Sequence, residues 1–277
     1  MRAARARRAP EVNVFPLKSP PVNDPFFSDR YQPARERAWH LSIWTSPGQA
    51  AWCVNDVTDG SVVALATATG DRLPHEERLP LHPASASFIA VPEVSTLVPE
   101  GVVESGREAA HLTLVHGPLP AGTLRDEPID ALGARCIYLH DADAERRLLE
   151  RFPQARPVAL QALLVKTAMA RATDRPAVLV HRTSTTCDLV IAHPDRVLLS
   201  NSYLAPTATD VLYFTLFALD RAGVRPETVR PVLCGASFTA EELTLMNTYL
   251  PTPVEHHDRP LPAEDRWLAV LQQWSCA

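Results

Sequence analysis

The chain has 277 residues, of which 46% are hydrophobic and 21% are charged, and its formal net charge is −5. These proportions are typical of a globular protein with a sizeable core. The negative charge argues against a nucleic-acid partner. No apolar run reaches the roughly 18 residues that a membrane span needs. We therefore expect neither a nucleic-acid-binding protein nor a membrane span.

Five cysteines lie far apart in the chain: Cys53, Cys136, Cys187, Cys234 and Cys276. No two have the CxxC spacing of a zinc or redox site, so we expect reduced thiols in a cytoplasmic protein. Residues 1–36 are rich in Arg and Pro and lack the apolar segment of a secretory signal. They are predicted to form a mobile basic tail.

The front half reads as a strand meander followed by a less regular stretch. Ser46-Pro47-Gly48-Gln49 favours a type II turn and Asp59-Gly60 a hairpin. The predicted strands of this half are 40–45, 50–57, 61–67, 86–92, 111–117, 135–141 and, weakly, 156–159. The predicted helices are one or two turns within 73–82, a short helix from Ser95 with Pro99 in its first turn, 141–152 and 160–172. A loop is predicted over 118–134.

The back half repeats the opening order with clearer ends. Three strands at 177–183, 187–192 and 196–202 predict a second antiparallel meander. A helix then begins at Thr207, where Asp210 completes a capping box, and ends at Gly223. A strand at 229–235 and a helix from Thr239 to Pro251 follow. The repeated order predicts an internal duplication, with a first lobe at 37–157 and a second at 158–277.

Several segments carry a resemblance to known proteins. The segments LSIWTSPGQAAWCVND, STLVPEG and LLSNSYLAPTATDVLYFTLFALDRAGVRPETVRPVLCGA resemble an uncharacterised bacterial family, number 3822 of the domains of unknown function. CIYLHDADAERRLLERFPQARPVALQALLVKTAMARA is similar to the lobe junction of PilM, a type IV pilus assembly protein. The resemblance implies an α/β fold of the actin-like ATPase class. Two ribonuclease-H-like lobes would flank a cleft, each a mixed sheet that starts with a three-strand antiparallel meander and is flanked by helices.

That fold directs attention to three loops that would meet a nucleotide. An ATPase of this class needs Gly and Asp at the first hairpin of each lobe, and small residues at the strand-to-helix turn of the second lobe. The residues at these places are Ser46 and Gly48 in the first hairpin, Thr183, Ser184 and Thr185 in the second, and Gly235 and Ser237 in the turn. Both hairpins lack the carboxylate that would organise Mg²⁺. The sequence predicts a degenerate nucleotide cleft with no catalytic or metal-binding residue assigned.

Two functions from different classes follow. The first is a non-catalytic protein-binding or scaffolding component that takes no cofactor. The alternative is a nucleotide-binding switch or ATPase with atypical phosphate loops, for which ATP and magnesium would be the ligands. The sequence favours a protein that is not an enzyme but does not exclude an unrecognised site in the cleft. It identifies neither the protein partner nor the oligomeric state.

A polar set beside the second meander permits two interpretations. It consists of Asn201, Tyr203, Thr207, Asp210 and Tyr213. These residues either cap a helix and pin the exit of a strand, or form a recognition surface beside the cleft.

Overall fold

The computed structural model describes residues 25–236, 238–251 and 267–276. Its strands are β1 Phe26–Phe27, β2 Trp39–Ser46, β3 Gln49–Asp56, β4 Val62–Thr69, β5 Ser85–Ala90, β6 Glu93–Pro99, β7 Arg125–Ile129, β8 Ala134–His140, β9 Arg156–Pro157, β10 Ala177–Arg182, β11 Thr186–His193, β12 Arg196–Leu204 and β13 Arg230–Gly235. Its α-helices are α1 Glu108–His116, α2 Ala142–Arg151, α3 Leu160–Arg171, α4 Ala208–Arg221, α5 Ala240–Tyr249 and α6 Leu268–Leu271. Within these described ranges, none of the helices is long and apolar enough to cross a membrane.

The same strand order occurs in two sheets. The first sheet has the order β1-β4-β3-β2-β5-β9, and the second sheet has the order β12-β11-β10-β13. In each, a three-strand antiparallel meander is joined by a strand parallel to its first member: β5 beside β2, and β13 beside β10. The predicted mixed α/β sheets are therefore confirmed. The two units differ in their crossover, which is α4 in the second but only a 3₁₀ turn at Glu76–Arg78 in the first.

One hydrophobic core joins the two sheets. Trp44 and Ile89 from the first sheet, Leu179 and Val232 from the second, and Leu163 of α3 all belong to it. The short helix α6 contributes three further buried side chains to the same core. Helix α6 lies against both sheets, whereas α3 packs on the second sheet and on α6.

The structure describes the side chains of four of the five cysteines. Cys53, Cys136, Cys187 and Cys234 are free and buried, as predicted. Burial raises the pKa of the Cys53 thiol well above its usual value, and it does the same to Cys187. These thiols are therefore protonated packing groups.

A third, small sheet of order β6-β8-β7 corrects the prediction for the middle of the chain. The predicted helix from Ser95 is wrong, because β6 pairs with β8 along its length and Pro99 ends a strand. The predicted strand at 111–117 is also wrong, because these residues continue α1, whose Leu112 is fully buried. β7 forms inside the predicted loop at 118–134.

Two carboxylates attach the small sheet to the start of α3. Glu93 of β6 accepts hydrogen bonds from the backbone N–H groups of Leu160 (2.6 Å) and Gln161 (3.1 Å). Glu127 of β7 accepts one from Ala159 (3.1 Å) and pairs with Lys166. These bonds satisfy N–H groups that a helix start otherwise leaves without partners. The small sheet is thus fixed to α3.

Part of the predicted tail packs on the first sheet. Phe26–Phe27 pairs with β4, and the ring of Phe27 stacks on that of Tyr31 at 5.7 Å. Tyr31 is buried, and its hydroxyl donates to the carbonyl of Arg78. Aromatic burial therefore orders residues 25–36, which the abundance of Arg and Pro had suggested would be mobile. Residues 1–24 of the predicted tail lie outside the described residues.

We expect the fold to lose stability in acid because of the buried histidine His40. Its ring lies in β2, fully buried between the hydroxyls of Ser85 (2.8 Å) and Ser87 (3.1 Å). Burial, helped by the charge of Arg156, lowers the pKa of His40 to about 4. A depressed histidine pKa means that the unfolded state binds the proton more readily, so stability falls as pH drops from about 6.5 to 4. We expect His40→Gln to remove up to about 3 kcal/mol of this pH dependence, measured by urea unfolding at several pH values. Parallel pH profiles for the two proteins would contradict it.

Candidate functional site

The ends of β2 and β10 come close together between the two sheets. The ring of Trp44, near the end of β2, lies edge-on to the ring of His181, near the end of β10, at 6.4 Å. Trp267 lies 6.3 Å from Trp44 on another side. The hairpin after Trp44 and the hairpin after His181 therefore follow strands that meet at one place. We call the region around these two strand ends the cleft, because the predicted fold would place a nucleotide there.

The first hairpin contains Ser46 and Gly48. Ser46 is buried and pairs with Gln49 across the turn. Gly48 has a φ of +77°, and its N–H donates to Oδ1 of Asp71 at 2.8 Å. The amide that would face a phosphate is thus bonded to a carboxylate of the chain. Sequence reasoning did not select Asp71, which directly follows the Gly70 that ends the meander.

The second hairpin contains Thr183, Ser184 and Thr185. The hydroxyl of Thr183 accepts a hydrogen bond from the N–H of Thr186 at 2.9 Å, and the two threonine hydroxyls lie 2.7 Å apart. These bonds close a local turn and occupy the Thr183 hydroxyl. Ser184 and Thr185 remain exposed at the tip.

Gly235 ends β13 against the end of β10. It is paired with Arg182 and has a φ of +85°. A Cβ at this position would lie 2.1 Å from the carbonyl oxygen of Arg182, which shows that the two backbones approach closely. The structure therefore brings Gly235 beside the second hairpin. Ser237, the other residue predicted in this turn, lies outside the described residues.

Three side chains near the end of β13 form a cluster. The guanidinium of Arg182 donates to the two carboxylate oxygens of Glu242 at 3.2 and 3.3 Å, and it lies 4.8 Å over the ring of Phe238. Glu242 also accepts from the N–H of Thr239 as part of the capping box of α5. The N–H of Thr239, followed by Arg182, lowers the pKa of the Glu242 carboxyl. Arg182, Phe238 and Glu242 are called the Arg–Glu–Phe cluster below.

Two buried nitrogens in the cleft are not satisfied. Among the described residues, Nε1 of Trp44 and Nε2 of His181 have no hydrogen-bond partner. The other ring nitrogen of His181 is 3.1 Å from the carboxylate of Asp188 on β11. Unpaired buried polar atoms are uncommon and call for a physical explanation. These two atoms could hydrogen-bond a ligand or a water molecule.

A groove runs beside the cleft and has α3 as its floor. One wall is formed by β6 and α1, and the other by β11 and β12, around a cavity of about 200 Å³. Across the floor, the side-chain amide of Gln161 donates to the hydroxyl of Ser200 at 3.1 Å. On the β6 wall, the ring nitrogen Nε2 of His116 is 2.8 Å from the carbonyl of Ser95. We call it the α3 groove.

Comparisons with known proteins support the fold. The structure resembles a Bacteroides thetaiotaomicron protein with an actin-like ATPase fold and unknown function, at 15% identity and a TM-score of 0.70, over 86% of this chain and 97% of that one. It also resembles a chain of the PilM–PilN type IV pilus biogenesis complex, at 13% identity and a TM-score of 0.51, over 84% and 96% of the two chains. No curated protein matches the sequence significantly.

The sequence profile of one family matches residues 88–252, which is more than half of the chain. That family is described as a protein of unknown function, DUF3822. The matched region contains the small sheet, α3 and the whole second sheet with α4 and α5. The chain therefore belongs to the DUF3822 family, and its fold is that of the actin-like ATPases.

Proposed function

We propose that this protein is a non-catalytic component with an actin-like fold, which binds another protein or scaffolds an assembly in the cytoplasm. The observation that carries this proposal is the Arg–Glu–Phe cluster. Its ion pair and ring occupy the turn through which the nucleoside would enter in a nucleotide-binding relative. A turn held by the chain's own side chains in this way supports a role without a nucleotide.

The charge of the cluster also disfavours a nucleotide. Binding would require the guanidinium of Arg182 to leave Glu242, although its side chain is only 12% exposed there. The Glu242 carboxylate would then face phosphate groups of the same sign. Separating a largely buried ion pair is costly because each charge loses its partner.

The remaining surface suits a protein partner. The small sheet leaves one edge of β6 without a strand partner among the described residues, and this strand forms a wall of the α3 groove. Apart from the Ser95 carbonyl, which His116 already contacts, this edge offers backbone N–H and C=O groups to an extended peptide. The PilM–PilN complex is an assembly of a protein with this fold, and this lends support to a partner-binding role here.

The test is a melting-temperature screen with millimolar ATP, with and without Mg²⁺, alongside an assay of phosphate release. A nucleotide present at 100 times its Kd would add about 2.7 kcal/mol of stability, which such a screen detects readily. We expect no shift and no release. Magnesium-dependent hydrolysis that disappears in Asp71→Asn, with the fold retained, would contradict the proposal.

One observation favours the alternative of a nucleotide-binding switch. The unsatisfied nitrogens of Trp44 and His181 lie in the cleft, with the Asp188 carboxylate beside His181. A switch predicts a rise in melting temperature with ATP and magnesium that Trp44→Phe weakens, since this change removes the indole N–H and keeps most of the ring.

A further inference from the structure

The outer side of helix α4 carries a stripe of aromatic and charged side chains, of which Asp210 and Phe214 are half-buried and the others exposed. The α4 stripe consists of Asp210, Tyr213, Phe214, Phe217 and Arg221. Tyr213 is 60% exposed and Phe217 is 37% exposed. The opposite side of the helix carries the residues that are buried against the second sheet. Exposed aromatic side chains that cluster in this way are typical of interaction surfaces.

The rings of the stripe are held in place before any partner binds. Tyr213 stacks on Phe217 at 6.2 Å, and Phe214 stacks on Tyr203 of β12 at 4.5 Å. The guanidinium of Arg221 lies 5.1 Å over the ring of Phe217. Preorganised rings lose little conformational entropy on binding, so they are well suited to contribute affinity. At the end of β12, Leu204 is also exposed and adds to the apolar patches of this region.

The spacing and charges of the stripe make it complementary to itself. Residues 210, 214, 217 and 221 recur at intervals of four, three and four, which places them in one row along a helix. An acidic residue begins the row, two phenylalanines form its middle, and a basic residue ends it. If two such helices pack antiparallel about an axis between positions 215 and 216, Asp210 faces the partner subunit's Arg221. By the same symmetry, Phe214 faces the partner subunit's Phe217.

We propose that the α4 stripe is the interface of a two-fold symmetric homodimer. Symmetry repeats every contact, so the dimer would have two Asp–Arg pairs flanking a central aromatic cluster. The row spans about 17 Å of helix, which fits a small, reversible interface better than an obligate one. This inference is independent of whether the cleft binds a nucleotide.

Reversing the charges at positions 210 and 221 tests whether these two residues face each other across the dimer. Asp210→Arg places two basic residues opposite each other in both pairs, and Arg221→Glu places two acidic residues there. We expect each variant alone to sediment as a monomer at concentrations where the wild type dimerises. An equimolar mixture restores both oppositely charged pairs, so we expect it to form a heterodimer at least about tenfold tighter than either variant alone.

A matched control separates charge from helix capping, since Asp210 also closes the capping box with Thr207. Thr207→Ala breaks the same box but keeps the stripe, so we expect it to dimerise like the wild type. Circular dichroism verifies that all variants are folded. A wild type that stays monomeric, single variants that still dimerise, or a mixture that fails to form the heterodimer would each overturn the proposal.

Discussion

Gly235→Ala is expected to destabilise the fold by about 3 to 5 kcal/mol, among the largest effects of any single substitution. The backbone at Gly235 has a φ of +85°, where a side chain costs about 1 to 2 kcal/mol. The new Cβ would also lie 2.1 Å from the carbonyl oxygen and 2.9 Å from the nitrogen of Arg182. Because both atoms belong to the backbone of β10, β13 must move away to relieve the contact. The shift of the urea midpoint at constant slope measures the loss.

Gly48→Ala is the matched control for this experiment. Gly48 also has a positive φ, of +77°, but apart from its two chain neighbours no residue has an atom within 4 Å of the position where its Cβ would be. We expect a loss of only about 1 to 2 kcal/mol, from backbone strain alone. The difference between the two variants therefore isolates the close approach of β13 to β10. Equal losses would mean that the two strands separate easily at this end.

The second meander and α4 were predictable because their signals are local. The capping box of Thr207 and Asp210 forms as predicted and sets the start of α4. Gly223 ends the helix with a φ of +66°. The turn residues between β11 and β12 similarly set the register of the second sheet. Each of these signals requires only neighbouring residues, so the sequence alone is sufficient.

The middle of the chain was mispredicted because its local pattern is ambiguous. In α1 only Leu112 is buried, while Leu114 and Val115 are exposed, so the helix lacks an apolar face with the usual period. Val115 is one of the residues that line the α3 groove. An apolar side chain there would serve a partner rather than the core. Sequence patterns are expected to depart from those of a folding core at functional surfaces, and we interpret the irregular pattern of α1 in this way.

The role of both hairpins and of Gly235 in a nucleotide site stays a prediction. The sequence directed attention to these residues but not to the side chains around them. It gave no sign that Arg182 reaches Glu242, a residue 60 positions away. A long-range ion pair leaves no periodicity or spacing in a sequence. Only the fold, which pairs β10 with β13 and starts α5 beside them, brings these two residues together.

Glu93→Ala is the second substitution with a large expected effect, a loss of about 3 to 5 kcal/mol. The side chain of Glu93 is only 4% exposed. It binds two backbone N–H groups at the start of α3 and lies 3.4 Å from Nε2 of His140, which is buried. Its removal leaves those N–H groups unsatisfied and takes one of two carboxylates away from a buried cation. Thermal and urea unfolding measure the loss.

The pH dependence of this loss identifies its electrostatic part. Burial by itself would lower the pKa of His140, but Glu145 and Glu93 outweigh it and raise this pKa to about 9. The contribution of His140 is therefore complete below its unfolded pKa of about 6.5 and is lost as pH rises towards 9. We expect the wild type to lose stability over this range and Glu93→Ala to lose less. Glu104→Ala, which removes an exposed carboxylate paired with Arg107, should leave both the midpoint and the pH profile unchanged. If Glu93→Ala behaved like Glu104→Ala, the carboxylate would not join the small sheet to α3, and the wall of the α3 groove would depend on other contacts.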